Sequence, residues 1–224
     1  MFPTMRNLYA FWAFLNIAIF IYAGLGLGNS LPGNGDNLNI TKILDTDEIL
    51  WLYLETIQTG PHPCPGPYCF TRTETCICNI KNDLSDKYYN FTQAMESGGH
   101  ETSHRYVGLF VNDTKPPKSM NVTEIQGNWG QESYLYTLQY TDEYTYNCSV
   151  FFVSPLKNLL SFEQQALPIY IKNNSVKEGP SSGCKTFFEE RCKEKGTQYQ
   201  PYSNECKPPM YDKTGDEQNT NDIH

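Results

Sequence analysis

The feature that most constrains this chain is its set of eight cysteines. Cys64, Cys69, Cys76, Cys78, Cys148, Cys184, Cys192 and Cys206 all follow an apolar N-terminal run. That run begins after the basic Arg6 and extends from Leu8 to Tyr22. The small residues Ala23, Gly24, Gly26 and Gly28 come next. This is the pattern of a secretory signal peptide cut between Gly24 and Gly28. The apolar stretch falls short of the ~20 residues that a membrane span needs. An even number of cysteines in an exported chain reads as a disulfide framework, because the compartment is oxidising. Spacing alone leaves the pairing open.

The chain divides into residues 1–28 as leader, a Gly/Asn-rich flexible segment at 29–43, a folded domain at 44–206, and a polar, proline-containing disordered tail at 207–224. Within the domain the dominant periodicity is two. Ile49–Gln58 alternates with Trp51, Tyr53 and Glu55 on one face and Leu50, Leu52 and Leu54 on the other, which predicts a strand covered on both sides. Gly60–Pro67 holds four prolines and must be a loop. Further strands are expected over Cys69–Ile80, Tyr88–Gln93, Arg105–Val111 and Ser119–Ile125. The series continues within Trp129–Cys148, which reads as a two-faced strand with Tyr134, Tyr136, Leu138 and Tyr140 on one face, a turn, and the start of a second strand, and then at Ser149–Val153 and Leu167–Lys172. Cys76 and Cys78 share a face if their strand is regular.

Asp45–Glu48 suits a helix or turn start, and Pro155–Gln165 a short helix. The clearest helix is Gly183–Gly196, where Cys184, Phe187, Phe188 and Cys192 recur at i, i+3, i+4 and i+8. About eight short strands and one late amphipathic helix predict an all-β protein: an eight-stranded antiparallel barrel with a C-terminal helix stapled by disulfides. A barrel of that size holds one small ligand. A two-sheet sandwich is the structural rival.

Composition narrows the functions. The formal net charge is −8, and loss of Arg6 with the leader makes it more negative still. Such a chain lacks the basic face that phosphate attraction needs, which excludes nucleic acid as a partner. Sequons at Asn39, Asn90, Asn112, Asn121 and Asn173 fit a secreted, extracellular glycoprotein; a sixth, at Asn147, carries Cys148 in its middle.

The ordered set of residues resembles a known family. The acidic turn, the Trp51 strand and the cysteine-bearing second strand are followed by Trp129, Tyr140-Thr141-Asp142 and Asn147-Cys148-Ser149-Val150. Cys184, Cys192 and Cys206 complete the set. It is similar to the tick salivary lipocalins, the histamine-binding protein family, over roughly Leu44–Cys206. The resemblance implies a secreted, non-catalytic lipocalin that sequesters a small host mediator, either a biogenic amine such as histamine or an amphipathic lipid. It implies no cofactor, no membrane attachment after leader cleavage, and a monomer. Some members of the family bind a host protein instead. The resemblance also implies that Cys148 pairs with Cys184, and Cys206 with Cys76 or Cys78, leaving Cys192, Cys64 and Cys69 open. In lipocalins a tryptophan placed like Trp51 closes the barrel floor. Amine-binding members carry Cys-Asp-aliphatic and later Glu-Leu-aromatic. Here those places hold Cys148-Ser149-Val150 and Pro168-Ile169-Tyr170, so both carboxylates are absent. An ammonium in a dry cavity needs an opposing charge, so weak histamine binding is expected.

The candidate ligand-binding residues are Tyr53, Glu55, Trp129, Tyr136, Tyr140 and Asp142. Glu55 or Asp142 would replace the missing carboxylates, although Asp142 suits a turn better than a ligand contact. The aromatic side chains offer apolar area, a polar tip and cation–π attraction. One motif points elsewhere. His100-Glu101-Thr102-Ser103-His104 matches H-E-x-x-H, which binds zinc when it lies on a helix. Here it follows Gly98-Gly99 and precedes a strand pattern, so it reads as a polar loop, with no metal and no catalytic residue. A zinc protease is the remote alternative.

Overall fold

The computed structural model describes residues 38–57, 74–125, 133–156, 165–192 and 197–209. Eight strands run in the order β1 (Leu50–Ile57), β2 (Thr75–Leu84), β3 (Tyr88–Ser97), β4 (His100–Val111), β5 (Ser119–Glu124), β6 (Ser133–Thr141), β7 (Cys148–Pro155) and β8 (Ile169–Lys172). From β2 to β8 each strand pairs with the next. Then β8 pairs with β1, and β1 closes on β2. All the pairings are antiparallel. The result is the closed eight-stranded barrel that the alternation predicts. The leader, residues 29–37, the proline-rich loop with Cys64 and Cys69, Trp129, most of Pro155–Gln165 and residues 210–224 lie outside the described residues.

Inward-facing side chains form one core. Tyr89, Phe91, Phe110, Met120, Val122, Leu138 and Phe151 come from five different strands and are all buried. One end of this core is sealed by a short helix, α1 (Ile40–Leu44). Asn39 caps it, accepting from the Thr41 amide at 3.0 Å. Leu38, Ile40, Ile43 and Leu44 are buried in the same core. Residues 38–43 therefore do not belong to a flexible segment. Burying four aliphatic side chains offsets the entropy of ordering a piece too short to be helical alone. Asp45 ends this helix rather than starting one.

Two other local readings change. β4 begins at His100, so the H-E-x-x-H run is strand and not loop. Gly98 and Gly99 have φ of 58° and 81°. Successive positive φ values make the tight hairpin turn that extends pairing to its tip. In addition, Cys76 and Cys78 are not on a regular face. Cys76 has φ of 51°, and the β2–β3 register shifts between Thr75 and Cys78. Cys76 bonds to Cys206, whereas Cys78 remains a buried thiol.

The helix α2 (Ser182–Cys192) follows β8 and a 3-10 turn at Val176–Glu178. It buries Cys184, Phe187 and Phe188, three of the four residues its period singles out, and leaves Cys192 half-buried. Cys184 bonds to Cys148 at the start of β7. A ninth strand, β9 (Thr197–Tyr199), pairs with Glu55–Ile57 of β1. β1 meets β2 at just two pairs, Leu50↔Asn79 and Trp51↔Cys78. Beyond Trp51 the two strands part and β9 takes up the place between them. The Tyr199 hydroxyl donates to the Glu74 carbonyl, and the Cys76 amide to the Pro201 carbonyl at 2.9 Å. Trp51 is 1% exposed. Its indole N–H donates to Asn173 Oδ1 at 2.9 Å, and Tyr202 meets its ring edge-on.

The sequon asparagines differ in setting. Asn112 and Asn173 stand exposed at turns, while Asn39, Asn90 and Asn121 are half-buried.

Two outcomes follow from this covalent frame. Replacing Cys148 and Cys184 together by serine costs about 3–4 kcal/mol in the chain-entropy account, and replacing Cys76 and Cys206 about 1 kcal/mol more. The difference arises because the loops closed span 36 and 130 residues respectively. Urea unfolding of the two variants measures it, and equal losses would contradict the entropic account. Burial pushes the Cys78 thiol up to about 12, so at pH 8 it stays protonated and unreactive. Iodoacetamide labels Cys78 after unfolding and not before, as read by peptide mass; rapid labelling of the native protein would refute the burial.

Candidate ligand-binding cavity

The half of the barrel away from α1 is not filled. It encloses a cavity of about 340 Å³, within the range of small-molecule sites. Its walls carry Leu52 and Glu55 from β1, Phe91 and Gln93 from β3, Tyr106 from β4 and Val122 from β5. Tyr134 and Tyr136 from β6, Val153 from β7, Ala166 and Pro168, and Tyr170 from β8 complete it. Cross-strand register explains the set, because directly opposed residues share a face. Phe91 opposes Tyr106, Val122 opposes Tyr134, and Leu52 opposes Tyr170.

Glu55 reaches this wall because β1 is not regular. The β1–β8 register shifts between Leu52 and Leu54. An extra residue in a strand inverts the facing of everything after it. Leu52 and Glu55 thus face the lumen together, and Tyr53 is turned out of it. Tyr53 stacks on Tyr202 with ring centroids 5.7 Å apart. The expected Trp51/Tyr53/Glu55 face does not exist. Glu55 is 4% exposed and is the acidic side chain among the described lining residues.

The same kind of break corrects β6. Tyr134, Tyr136 and Leu138 face inward as their alternation predicts, but the β6–β7 register shifts between Leu138 and Tyr140. Tyr140 consequently lies outside the lumen and stacks on Phe187 of α2 at 5.3 Å. Gly183 permits this approach. A Cβ there would collide with the Tyr140 hydroxyl. Asp142 is also outside: it accepts from the Ser181 hydroxyl at 2.6 Å. Ser181 in turn accepts from the Cys184 amide at 3.2 Å and so caps α2. Asp142 is therefore a turn residue that anchors the helix start. Of the six candidates, the structure brings Glu55 and Tyr136 together, sets Tyr53, Tyr140 and Asp142 apart, and leaves Trp129 outside the described residues.

The polar character of the lumen is concentrated around Tyr136. Desolvation raises its phenol well above the ordinary range, reinforced by Tyr170, Tyr106 and the charge of Glu55. Tyr136 and Tyr170 also share a hydrogen bond. The phenol keeps its proton through the physiological range and remains a donor. Tyr106, Tyr170 and Gln93 were missed in the sequence because their strands show no clean alternation. The correct register across β3, β4 and β8 was the missing signal.

At the rim, His104 Nδ1 lies 2.7 Å from Glu124 Oε1. His104 opposes Gln93 and Glu124 opposes Tyr106, which puts the pair on the inward face just above the cavity. His100 and His104 are four residues apart on a strand, ~13 Å at strand rise, too far to share a metal ion. Among the described residues no group of three His, Cys, Asp or Glu side chains is placed to hold one.

A family profile matches this architecture. The profile of the tick histamine binding protein spans residues 29–208. The chain belongs to the tick histamine-binding protein family. Among solved structures, Japanin from Rhipicephalus appendiculatus bound to cholesterol aligns over 72% of this chain and 96% of its own, at 8% identity and a TM-score of 0.46. The AM182 serotonin complex aligns over 72% of this lipocalin and 86% of its own chain, at 12% identity and a TM-score of 0.46. No curated protein sequence matches significantly.

The two positions where this lipocalin departs from the amine-binding pattern lie in the barrel wall. Pro168 lines the cavity and offers no charge. Ser149 is buried, its hydroxyl 2.8 Å from that of Thr141.

The outward placement of Asp142 has a measurable consequence. Asp142→Ala removes the acceptor for Ser181 and is expected to cost about 1 kcal/mol of stability. Ligand affinity should be unaffected. A thermal melt paired with calorimetry separates the two, and a large affinity loss would return Asp142 to the binding site.

Proposed function

We propose that this lipocalin is a secreted, non-catalytic trap for a small host mediator carrying one ammonium group and an aromatic ring. The observation that carries the reading is Glu55, a carboxylate at 4% exposure on the cavity wall. Placing a carboxylate in a low-dielectric lumen is costly. A cationic ligand offsets that cost with a charge-assisted hydrogen bond. The tyrosine rings supply faces for cation–π attraction and edges for stacking. Tyr136 and Tyr170 hydroxyls offer partners to a polar group on the ligand's ring.

The loss of both family carboxylates, at Ser149 and Pro168, leaves Glu55 as the acidic group among the described lining residues, enough for one ammonium and with no second carboxylate to pair the ring N–H of an imidazole. That favours an amine on a phenolic or indole ring, such as serotonin, over histamine. Lipid mediators, the second ligand class compatible with a lipocalin barrel, give Glu55 no role. Capture of a host protein through the loops leaves the cavity without one.

Isothermal titration with serotonin, histamine and a fatty-acid-derived mediator tests the ranking. Serotonin is expected to bind most tightly. Glu55→Gln should weaken it about 10- to 100-fold, as for loss of a hydrogen bond to a charged group. Tight histamine binding, or serotonin binding that survives Glu55→Gln, would overturn the reading.

A further inference from the structure

We propose that the C-terminal segment 197–206 positions Glu55 for the ammonium group, with the Cys76–Cys206 disulfide as its anchor. This rests on Glu55 being the ammonium contact.

The argument starts from what holds the β1 backbone at residue 55. On one side β1 has left β2 after Trp51. On the other its last partner in β8 is Leu54↔Ile169, just past the register shift. The strand that pairs with Glu55 itself is β9, through Glu55↔Tyr199, followed by Thr56↔Gln198 and Ile57↔Thr197. β9 is three residues long, too short to hold its place by pairing alone.

Three links fasten the segment to β2 instead. Tyr199 donates to the Glu74 carbonyl, the Cys76 amide donates to the Pro201 carbonyl at 2.9 Å, and Cys76 is bonded to Cys206. Cys76 adopts the left-handed region, with φ of 51°, which is uncommon for a residue with a side chain. That conformation turns it away from the regular strand face and toward Cys206. A buried carboxylate gains hydration by leaving the lumen. With the clamp released, the backbone at residue 55 loses its ladder, and the strand no longer fixes the direction of the side chain.

A positioning role differs from a merely stabilising one in what it does to selectivity. The readout is the ratio of affinities for serotonin and for 5-hydroxytryptophol, its neutral alcohol analogue, titrated into the full oxidised chain. Cys76→Ser with Cys206→Ser is expected to lower that ratio about tenfold while the alcohol's affinity stays within about twofold, the pattern of a lost charge contact. Cys148→Ser with Cys184→Ser lowers the melting temperature and leaves the ratio intact. Should the first variant fail to fold, Tyr199→Phe removes one link to β2 and should lower the ratio about two- to threefold, a fraction of one hydrogen bond. An unchanged ratio in a folded clamp variant, with the wild-type preference for the amine present, overturns the clamp and spares the role of Glu55. Wild-type protein with no amine preference, together with a silent Glu55→Gln, overturns both.

Discussion

Closure of the sheet at β1 is the constraint on which the rest of this molecule depends. A barrel exists only if its first strand finds partners on both sides, since an open edge exposes unpaired backbone. β1 meets that demand with three neighbours: β8 along its lower half, β2 for two residue pairs, and β9 above them. The bulge after Leu52 and the splay after Trp51 both fall on this strand. They are what let one side chain in the wall be a carboxylate. Trp51, buried where β1 pairs with both β2 and β8, packs on Tyr202 and ties its indole N–H to Asn173. The start of the barrel, the loop after β8 and the C-terminal segment are thereby joined through one ring.

The helix and its staple follow from a different logic. α2 is short, and its polar residues outnumber its apolar ones. It docks through Phe187, Phe188 and the Cys148–Cys184 bond. Tyr140 and Asp142, which fail to reach the lumen, serve this docking instead. Tyr140 lies on Phe187, and Asp142 holds the capping serine. Two residues that look like ligand contacts in the sequence are the seat of the helix.

The sequence made much of this legible, and the failures have a common cause. Alternation in Tyr134, Tyr136 and Leu138 identified a lumen face, and the helical period of Cys184, Phe187 and Phe188 identified a buried stripe. Both rest on long runs of one period. Register shifts have no such signature. One residue inserted after Leu52 and another near Tyr140 each reversed the facing that strict alternation assigns. Glu55 does line the cavity, but strict alternation puts it on the wrong face, and the register shift after Leu52 is what turns it inward. α1 and β9 were invisible because five and three residues carry no measurable periodicity. Their existence depends on contacts far away in sequence. The H-E-x-x-H run became strand because Gly98-Gly99 dictates a hairpin, a local cue that outranks the polar composition around it.

The seal formed by α1 has a kinetic side. With one end plugged by aliphatic side chains, the approach visible among the described residues runs past the His104–Glu124 pair and down a wall of tyrosines. A ligand whose charged end is to settle at Glu55 must arrive in one orientation, shedding water from its head before its tail has left solvent. On the proposed function the vessel is directional, filled head first from its open end.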